Sequence, residues 1–368
     1  MRRPLRTFTA IALAAALLAP PAAASAAEPT PADTARIVAG MSSEALADDP
    51  ARHEIAKSFV AELDALWTRY EAGIATKIRA WAKAELAQPA GGTVFYPFAG
   101  PDLPTVQLLY PDADRYVLVA LQKGGRLPAL HKWNLKTFRW YLKVYRRGWR
   151  SFSRRGFFHT DHMKRDMDEA SVLEGITPIL MGFAARLGYT VEAVDPIRIA
   201  AGGVDVELHP GDRGAAETWD SVRLTLKRDR DGRKVLVDYL FLDLSDGYLG
   251  SAADARAWIE AIAHNPVVTK AASHLMQKPF FSIITKAILD HAPSVWQDET
   301  GIDYGDLSEA FDVRLYGDFT RANKLWTEGV QRSLAKAYRT RRDVRPLPFK
   351  VGYRKQSGSC VQVAVRKP

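Results

Sequence analysis

A change in the hydrophobic period near residue 189 constrains the fold of this chain more than any other feature. Before it, apolar residues recur every three or four positions in 51–86, 130–152 and 173–187, which predicts long helices. After it, short apolar segments separated by turn residues predict successive strands at 189–194, 204–208, 222–227 and 235–241. Helices beside a run of neighbouring strands favour an α+β fold, with a mixed or antiparallel sheet packed by several helices.

The remaining periodic segments complete this prediction. Two strands are expected early, at 93–98 and 116–121, and two late, at 349–353 and 360–365. Helical segments are expected at 251–263, 270–276, 280–291 and 321–339. We therefore predict one large α+β domain over 51–368, in which the long N-terminal helical segment 51–90 could form a helical subdomain.

The amino terminus has the pattern of a secretory signal peptide. Arg2, Arg3 and Arg6 precede an apolar stretch over 8–19, prolines follow at 20 and 21, and the segment 24–26 fits an A-x-A cleavage site. The alternative is an uncleaved membrane anchor, for which the stretch is short and interrupted by proline. We predict a signal peptide at 1–27, a flexible lead-in at 28–50, and a mature protein that is periplasmic or secreted.

Composition excludes two further classes of protein. A chain of 368 residues with 47% hydrophobic and 25% charged residues is not wholly disordered, and its one cysteine, Cys360, cannot form a disulfide scaffold. The formal charge of +9 falls to about +6 when the three signal-peptide arginines are removed. This surplus is too small to indicate a dedicated nucleic-acid-binding protein.

Standard catalytic motifs are absent, which leaves the reaction, if any, undefined. The sequence has no G-x-S-x-G, H-E-x-x-H, Walker or G-x-G-x-x-G motif, and no cofactor is expected. An S-x-x-K match at Ser333 and Lys336 lies in a basic helix without companion motifs. His159, Asp161 and His162 are weak candidates for a zinc site, and Asp161 as the cap of a helix is the stronger alternative.

The predicted helix 132–155 is unusually basic and aromatic. It contains nine Lys or Arg and seven aromatic residues but no acid. One apolar stripe at spacings of three and four is expected to face the core. The other faces carry candidate contacts for an anionic envelope surface: Trp133, Trp140, Lys136, Arg139 and Lys143. The alternative is a solvated basic face with no partner.

Three loop segments, 96–102, 270–277 and 297–304, carry dense polar groups next to predicted strands or short helices. We predict that they line one polar pocket, with Asp102 and Asp298 as acceptors or general base, Lys270 as charge partner and Tyr96 as donor or stacking surface. The further candidates for binding are Gln297, Glu299, Ser273 and His274. The alternative assigns Asp102 to a helix cap and Gly301 to a turn.

The same three segments carry a family resemblance. The chain resembles a family of uncharacterised bacterial secreted proteins with the patterns Tyr-Pro-Phe-Ser-Gly-Pro-Asp, Lys-Ser-Ala-Ser-Tyr-Leu-Met-His and Gln-Asp-Asp-Ser-Gly-Ile-Pro-Tyr, and 315–320 and 347–353 are similar too. Ala99 replaces a serine, His274 and Gln277 replace Tyr and His, and Glu299-Thr300 replaces Asp-Ser. The family has no assigned activity, so the resemblance implies fold and export only.

Together these features predict an exported protein whose polar pocket binds a glycan-like or other polar small molecule. Carboxylates, amides and aromatic side chains are suited to polyhydroxyl ligands. One alternative is a hydrolase that uses paired carboxylates, which needs the two groups across a cleft. A second is an envelope interaction protein that uses the basic aromatic helix.

Overall fold

The computed structural model describes residues 28–88, 91–155, 175–321, 331–352 and 358–368. Within them the strands are β1 Thr93–Tyr96, β2 Arg115–Ala120, β3 Tyr189–Ile199, β4 Val206–Leu208, β5 Val222–Arg228, β6 Lys234–Phe241, β7 Val267–Thr269, β8 Ser294–Gln297, β9 Phe311–Gly317 and β10 Cys360–Arg366. The helices are α1 Pro31–Val38, α2 Glu44–Ala47, α3 Pro50–Tyr70, α4 Thr76–Glu85, α5 Leu103–Leu109, α6 Leu135–Arg155, α7 Thr177–Arg186, α8 Asp246–Leu249, α9 Ala253–Ile262, α10 Ser282–His291, α11 Tyr304–Ala310 and α12 Arg332–Thr340.

The strands form one mixed sheet in the order β4-β3-β5-β6-β2-β1-β7-β8-β10-β9. Five central strands, β6 through β8 in that order, are parallel, and antiparallel strands flank them on both sides. The predicted α+β fold with a mixed sheet packed by helices is confirmed. The sheet adds a parallel centre, in which all carboxyl ends meet at one edge.

Helices cover both faces of the sheet, so the parallel strands are buried on both sides. Val94 and Tyr96 of β1 join a first core with α1 through α7, whereas Phe95 joins a second core with α8 through α12. This alternation follows from the two-residue period of a strand. The result is a three-layer arrangement in which only the loops at the sheet edges are free to build a site.

The long helix predicted over 51–86 is present, although a π-helical turn at Glu71–Ala75 divides it into α3 and α4. The structure differs from the sequence prediction in 28–50. Instead of a flexible lead-in, Thr30 and Asp33 form a capping box at the start of α1, and Ile37 and Val38 are buried. Helix α1 therefore belongs to the first core.

Helix α6 buries the apolar stripe that its sequence predicts, with one exception. Phe138, Leu142, Tyr145, Trp149 and Phe152 are buried, whereas the first position of the stripe, Leu135, is exposed. Trp133 packs against Tyr141 at a ring-centroid distance of 4.9 Å. None of the helices in the described part of the chain is long and apolar enough to cross a membrane.

Candidate functional site

The three polar segments meet at the carboxyl ends of neighbouring parallel strands. Residues 97–102 follow β1, Lys270 follows β7, and Asp298 follows β8. The chain leaves β1 through α5 toward β2, on the first-core face, and leaves β7 through α10 toward β8, on the second-core face. A point at which the connections depart in opposite directions is the usual place for a ligand in sheets of this kind.

Asp102 is the centre of a saturated hydrogen-bond network. Its Oδ1 accepts from the hydroxyl of Thr105 at 2.8 Å and from the Thr105 backbone N–H, so it caps α5. Its Oδ2 accepts from the Tyr96 hydroxyl at 3.0 Å and from Lys270 Nζ at 2.7 Å. Only 3% of Asp102 and 8% of Lys270 is exposed, so this is a buried ion pair that joins β1 to β7.

Two glutamines join the second segment to the third. Gln297 Oε1 accepts from the Thr269 hydroxyl and the Ile302 N–H, and its Nε2 donates to the carbonyl of Ile302 and to Gln362. Gln277 Nε2 donates to the carbonyl oxygens of Glu299 and Gly301, each at 2.9 Å. These bonds fix the loop after β8 against the 3₁₀ turn Ala272–Gln277. The three segments therefore lie next to one another, and the pocket that they are expected to line stays a prediction.

Asp298 and His274 at this location have buried polar atoms without a hydrogen bond. Asp298 Oδ1 accepts from the Thr300 N–H at 2.9 Å, but Asp298 Oδ2 is buried and has no hydrogen bond. Both ring nitrogens of His274 are also buried and unpartnered, and His274 lies at a φ of 52°. A buried polar group without a partner costs about 1–3 kcal/mol, so such groups call for an explanation.

Burial also sets the protonation equilibria of these two groups. Loss of solvent raises the pKa of Asp298, against the opposing effects of the Thr300 hydroxyl, Lys270 and His274. Desolvation lowers the pKa of His274, against the attraction of Asp298 and the influence of the nearby Gln277 side chain. A carboxyl with a raised pKa beside an imidazole with a lowered pKa is typical of functional sites.

Cys360 closes the second-core side of the cluster. Its thiol contacts Glu299 Oε2 at 3.4 Å as a donor, and burial raises the thiol pKa well above its usual range, an effect that the Glu299 and Asp298 carboxylates increase. The cysteine is therefore a protonated, packed side chain, as expected for a small apolar residue in a strand, and not an activated nucleophile.

The structure assigns the sequence-predicted residues to different places. Tyr96, Asp102, Lys270, His274, Gln297, Asp298 and Glu299 all belong to this cluster, and Ser273 lies in the 3₁₀ turn beside it. Trp140, Lys136, Arg139 and Lys143 lie on α6, and Trp133 directly precedes it. His159, Asp161 and His162 lie outside the described residues.

Two of the predicted roles do not fit the geometry. Both amide atoms of Gln297 form hydrogen bonds inside the protein. Gln297 therefore stabilises the loop and has no amide group left to bind a ligand. Asp102 has four donors on its two oxygens and is not free to act as a general base. Both assignments depend on contacts between distant segments, which the sequence does not reveal.

Sequence reasoning missed other residues that build the site. Thr300 holds one oxygen of Asp298, and Gln331, at a φ of 39°, donates to the carbonyls of Glu299 and Ile302. The D-x-T spacing of Asp298 and Thr300 is a readable signal for a side-chain-to-backbone turn. Gln331 carries no comparable signal.

The arrangement defines a three-layer protein with a mixed sheet and a buried polar cluster at its switch point. Comparisons with protein families, with curated proteins and with solved structures found no match. Within the described residues, no group of three or more His, Cys, Asp or Glu side chains is placed to hold a metal ion.

Proposed function

We propose that the chain binds a small polyhydroxyl ligand of the glycan type at the carboxyl ends of β1, β7 and β8. The observation that carries the proposal is the pair of buried, unpartnered groups, Asp298 Oδ2 and the imidazole of His274. A hydroxyl group that donates to the carboxylate can accept from the imidazole N–H, and a second hydroxyl of the same molecule can donate to the other ring nitrogen, so a polyhydroxyl ligand satisfies both groups.

The neighbouring network supports binding more than hydrolysis by paired carboxylates. Such hydrolysis requires two carboxyl groups that can each exchange a proton or attack the substrate. Asp102 is held by Tyr96, Thr105 and Lys270, whereas Asp298 Oδ2 accepts no hydrogen bond. In this proposal Asp102 and Lys270 position the segments around the ligand, and Asp298 and His274 contact it.

The proposed place of action is outside the cytoplasm. The supporting observation is the signal-peptide pattern of residues 1–27, which is a property of the sequence. The family resemblance of the three polar segments supports the same location. Release of the mature chain into culture medium or periplasmic extract, with its amino terminus near residue 27, would test this part.

The ligand proposal is tested by calorimetric titration of the mature chain with a panel of monosaccharides, disaccharides and linear polyols. We expect saturable binding by at least one of them, with slow association because His274 and Asp298 are shielded from solvent. Asp298→Asn should weaken that binding by about 10–100-fold, the usual value of a hydrogen bond to a charged group.

Asp306→Asn provides the matched control for this titration. Asp306 is exposed on α11, eight positions from Asp298 in the sequence, and its carboxylate is not part of the cluster. The control should bind as the unchanged protein does. Equal binding by Asp298→Asn and the unchanged protein would place the ligand elsewhere.

A second candidate function is contact with an anionic envelope surface through α6. Lys136, Arg139 and Lys143 are exposed, and none of them forms an ion pair among the described residues. By contrast, Arg146 and Arg150 of the same helix both bind Glu62 of α3. The cationic surface proposed here is therefore the one that Lys136, Arg139 and Lys143 form, without Arg146 and Arg150.

Neutralising this surface should weaken binding to anionic vesicles. Each lysine or arginine near an anionic membrane contributes about 1 kcal/mol, so Lys136→Gln, Arg139→Gln and Lys143→Gln together should reduce binding to phosphatidylglycerol vesicles by about 100-fold. The control is the triple change Arg332→Gln, Lys336→Gln and Arg339→Gln, which removes the same charge from exposed positions of α12. An equal loss of vesicle binding in both triple variants, or vesicle binding that does not change with salt concentration, would contradict a specific binding surface on α6.

A further inference from the structure

A second concave site lies at the amino ends of the central strands, whereas Asp298 lies at their carboxyl ends. It is a cleft of about 820 Å³ lined from α4, from the loops at the amino ends of β2 and β3, and from the turn between β5 and β6. This volume is in the range of small-molecule sites. The lining residues that matter here are Arg79, Lys83, Gln88, Gln107, Asp112 and Arg230.

Two side-chain amides present unpartnered acceptors at this cleft. Gln88 Nε2 donates to the carbonyl oxygens of Ala82 and Leu109, and Gln107 Nε2 donates to the Tyr189 hydroxyl at 3.1 Å. The Oε1 atoms of both glutamines are buried and accept no hydrogen bond. Gln107 as a whole is only 7% exposed. Two such acceptors require donors from a ligand or from water.

The rim of the cleft is cationic. Lys83 is exposed and forms no ion pair within the described part of the chain, and Arg79 lies one turn earlier on the same face of α4. Arg79 binds Glu71 and Arg230 binds Asp112, yet each of these guanidinium groups remains partly exposed. An arginine has five N–H donors, so a carboxylate partner leaves some of them for a second anion.

We propose that this cleft binds a hydroxylated small anion, such as a sugar phosphate or a sugar acid. Lys83, with the exposed guanidinium edges of Arg79 and Arg230, holds the anionic group. Hydroxyl groups of the same molecule donate to Gln88 Oε1 and Gln107 Oε1. A ligand with both an anionic group and hydroxyl groups would use the two buried amide oxygens and the Lys83 ammonium group, which line the same cleft.

The test is titration of the mature chain with glucose 6-phosphate and gluconate, beside glucose alone and inorganic phosphate alone. The hydroxylated anions should bind more tightly than either separate part, and the affinity should fall with salt. Lys83→Gln should weaken binding by about tenfold, whereas Lys77→Gln, at an exposed position of α4 outside the cleft, should not. Gln107→Leu should lower the affinity for gluconate without changing the affinity for inorganic phosphate.

The results also separate this cleft from the site at Asp298. Asp298→Asn should leave the binding of glucose 6-phosphate unchanged, because the two sites lie at opposite edges of the sheet. Absence of binding by both hydroxylated anions would mean that the two amide oxygens hold water only, and it would overturn the proposal. Inorganic phosphate that binds as tightly as glucose 6-phosphate, or binding that Lys83→Gln does not change, would overturn it as well.

Discussion

Lys270→Met is expected to lower the free energy of unfolding by about 3–5 kcal/mol, the usual cost of removing one partner of a buried ion pair. Methionine fills a similar volume, but the Asp102 carboxylate would then remain buried with only hydroxyl and amide donors. The loss is measured by denaturant unfolding followed by tryptophan fluorescence. Lys286→Met is the control, because Lys286 is an exposed lysine paired with Asp290 on α10, and its loss should cost under about 1 kcal/mol.

A double variant shows whether the loss comes from the uncompensated charge. Asn at position 102 keeps an oxygen for Thr105 and so keeps the cap of α5, while it removes the negative charge. Asp102→Asn combined with Lys270→Met should therefore be more stable than Lys270→Met alone. A double variant whose loss equals the sum of the single losses would show that the two side chains do not act as a pair.

Gly301→Ala should also be strongly destabilising, by about 2–4 kcal/mol. A β-carbon at this position would lie 2.3 Å from Gln297 Oε1 and 2.7 Å from the Thr269 hydroxyl oxygen. Gln297 would have to move, which would break its bonds to Thr269, Ile302 and Gln362 in the interior. Each buried group left without its partner adds to the cost.

Gly73→Ala is the matched control for this substitution. Gly73 is exposed in the helical segment between α3 and α4, and apart from its own neighbours and the local helix backbone nothing lies within 4 Å of the position of its missing β-carbon. Alanine there should stabilise the protein by about 0.5–1 kcal/mol, because it favours the helix. If the unfolding midpoints of Gly301→Ala and Gly73→Ala shifted in the same direction, that result would contradict the close packing inferred at Gly301.

The sequence predicts much of the fold because most elements carry a strong period. The strands β3, β5 and β6 and the helices α3, α4 and α6 all follow from apolar spacing. The strands β7 and β8 were missed, since they have only three and four residues and are buried on both faces. A strand without an exposed face has no polar alternation to detect.

The segments that form the candidate site are predictable from the sequence, but the hydrogen bonds of their carboxylates are not. The polar segments after β1, β7 and β8 are visible as polar and turn residues next to short apolar runs. The hydrogen bonds of Asp102 include one from Lys270, which is 168 positions away in the sequence. The sequence therefore does not show that the oxygens of Asp102 are fully hydrogen-bonded. The ordered α1 was readable from Thr30, Pro31 and Asp33, but the composition of the lead-in indicated flexibility instead.

In the proposed site, Asp298 is a buried carboxylate whose Oδ2 is left for a ligand, and its charge does not stabilise the fold. Its raised pKa means that the folded state binds a proton more readily than the unfolded state does. The ligand-free protein should therefore gain stability as the pH falls through that pKa toward the usual carboxyl value, and Asp298→Asn should lose this gain.

The most direct measurement is the free energy of unfolding of Asp298→Asn and of the unchanged protein, without ligand, from pH 7 down toward the usual carboxyl pKa of 3.8. Asp298→Asn is expected to be the more stable protein at pH 7, and the difference between the two free energies of unfolding should narrow on acidification. A variant that is less stable than the unchanged protein at pH 7 would show that the carboxylate supports the fold, and it would contradict the account.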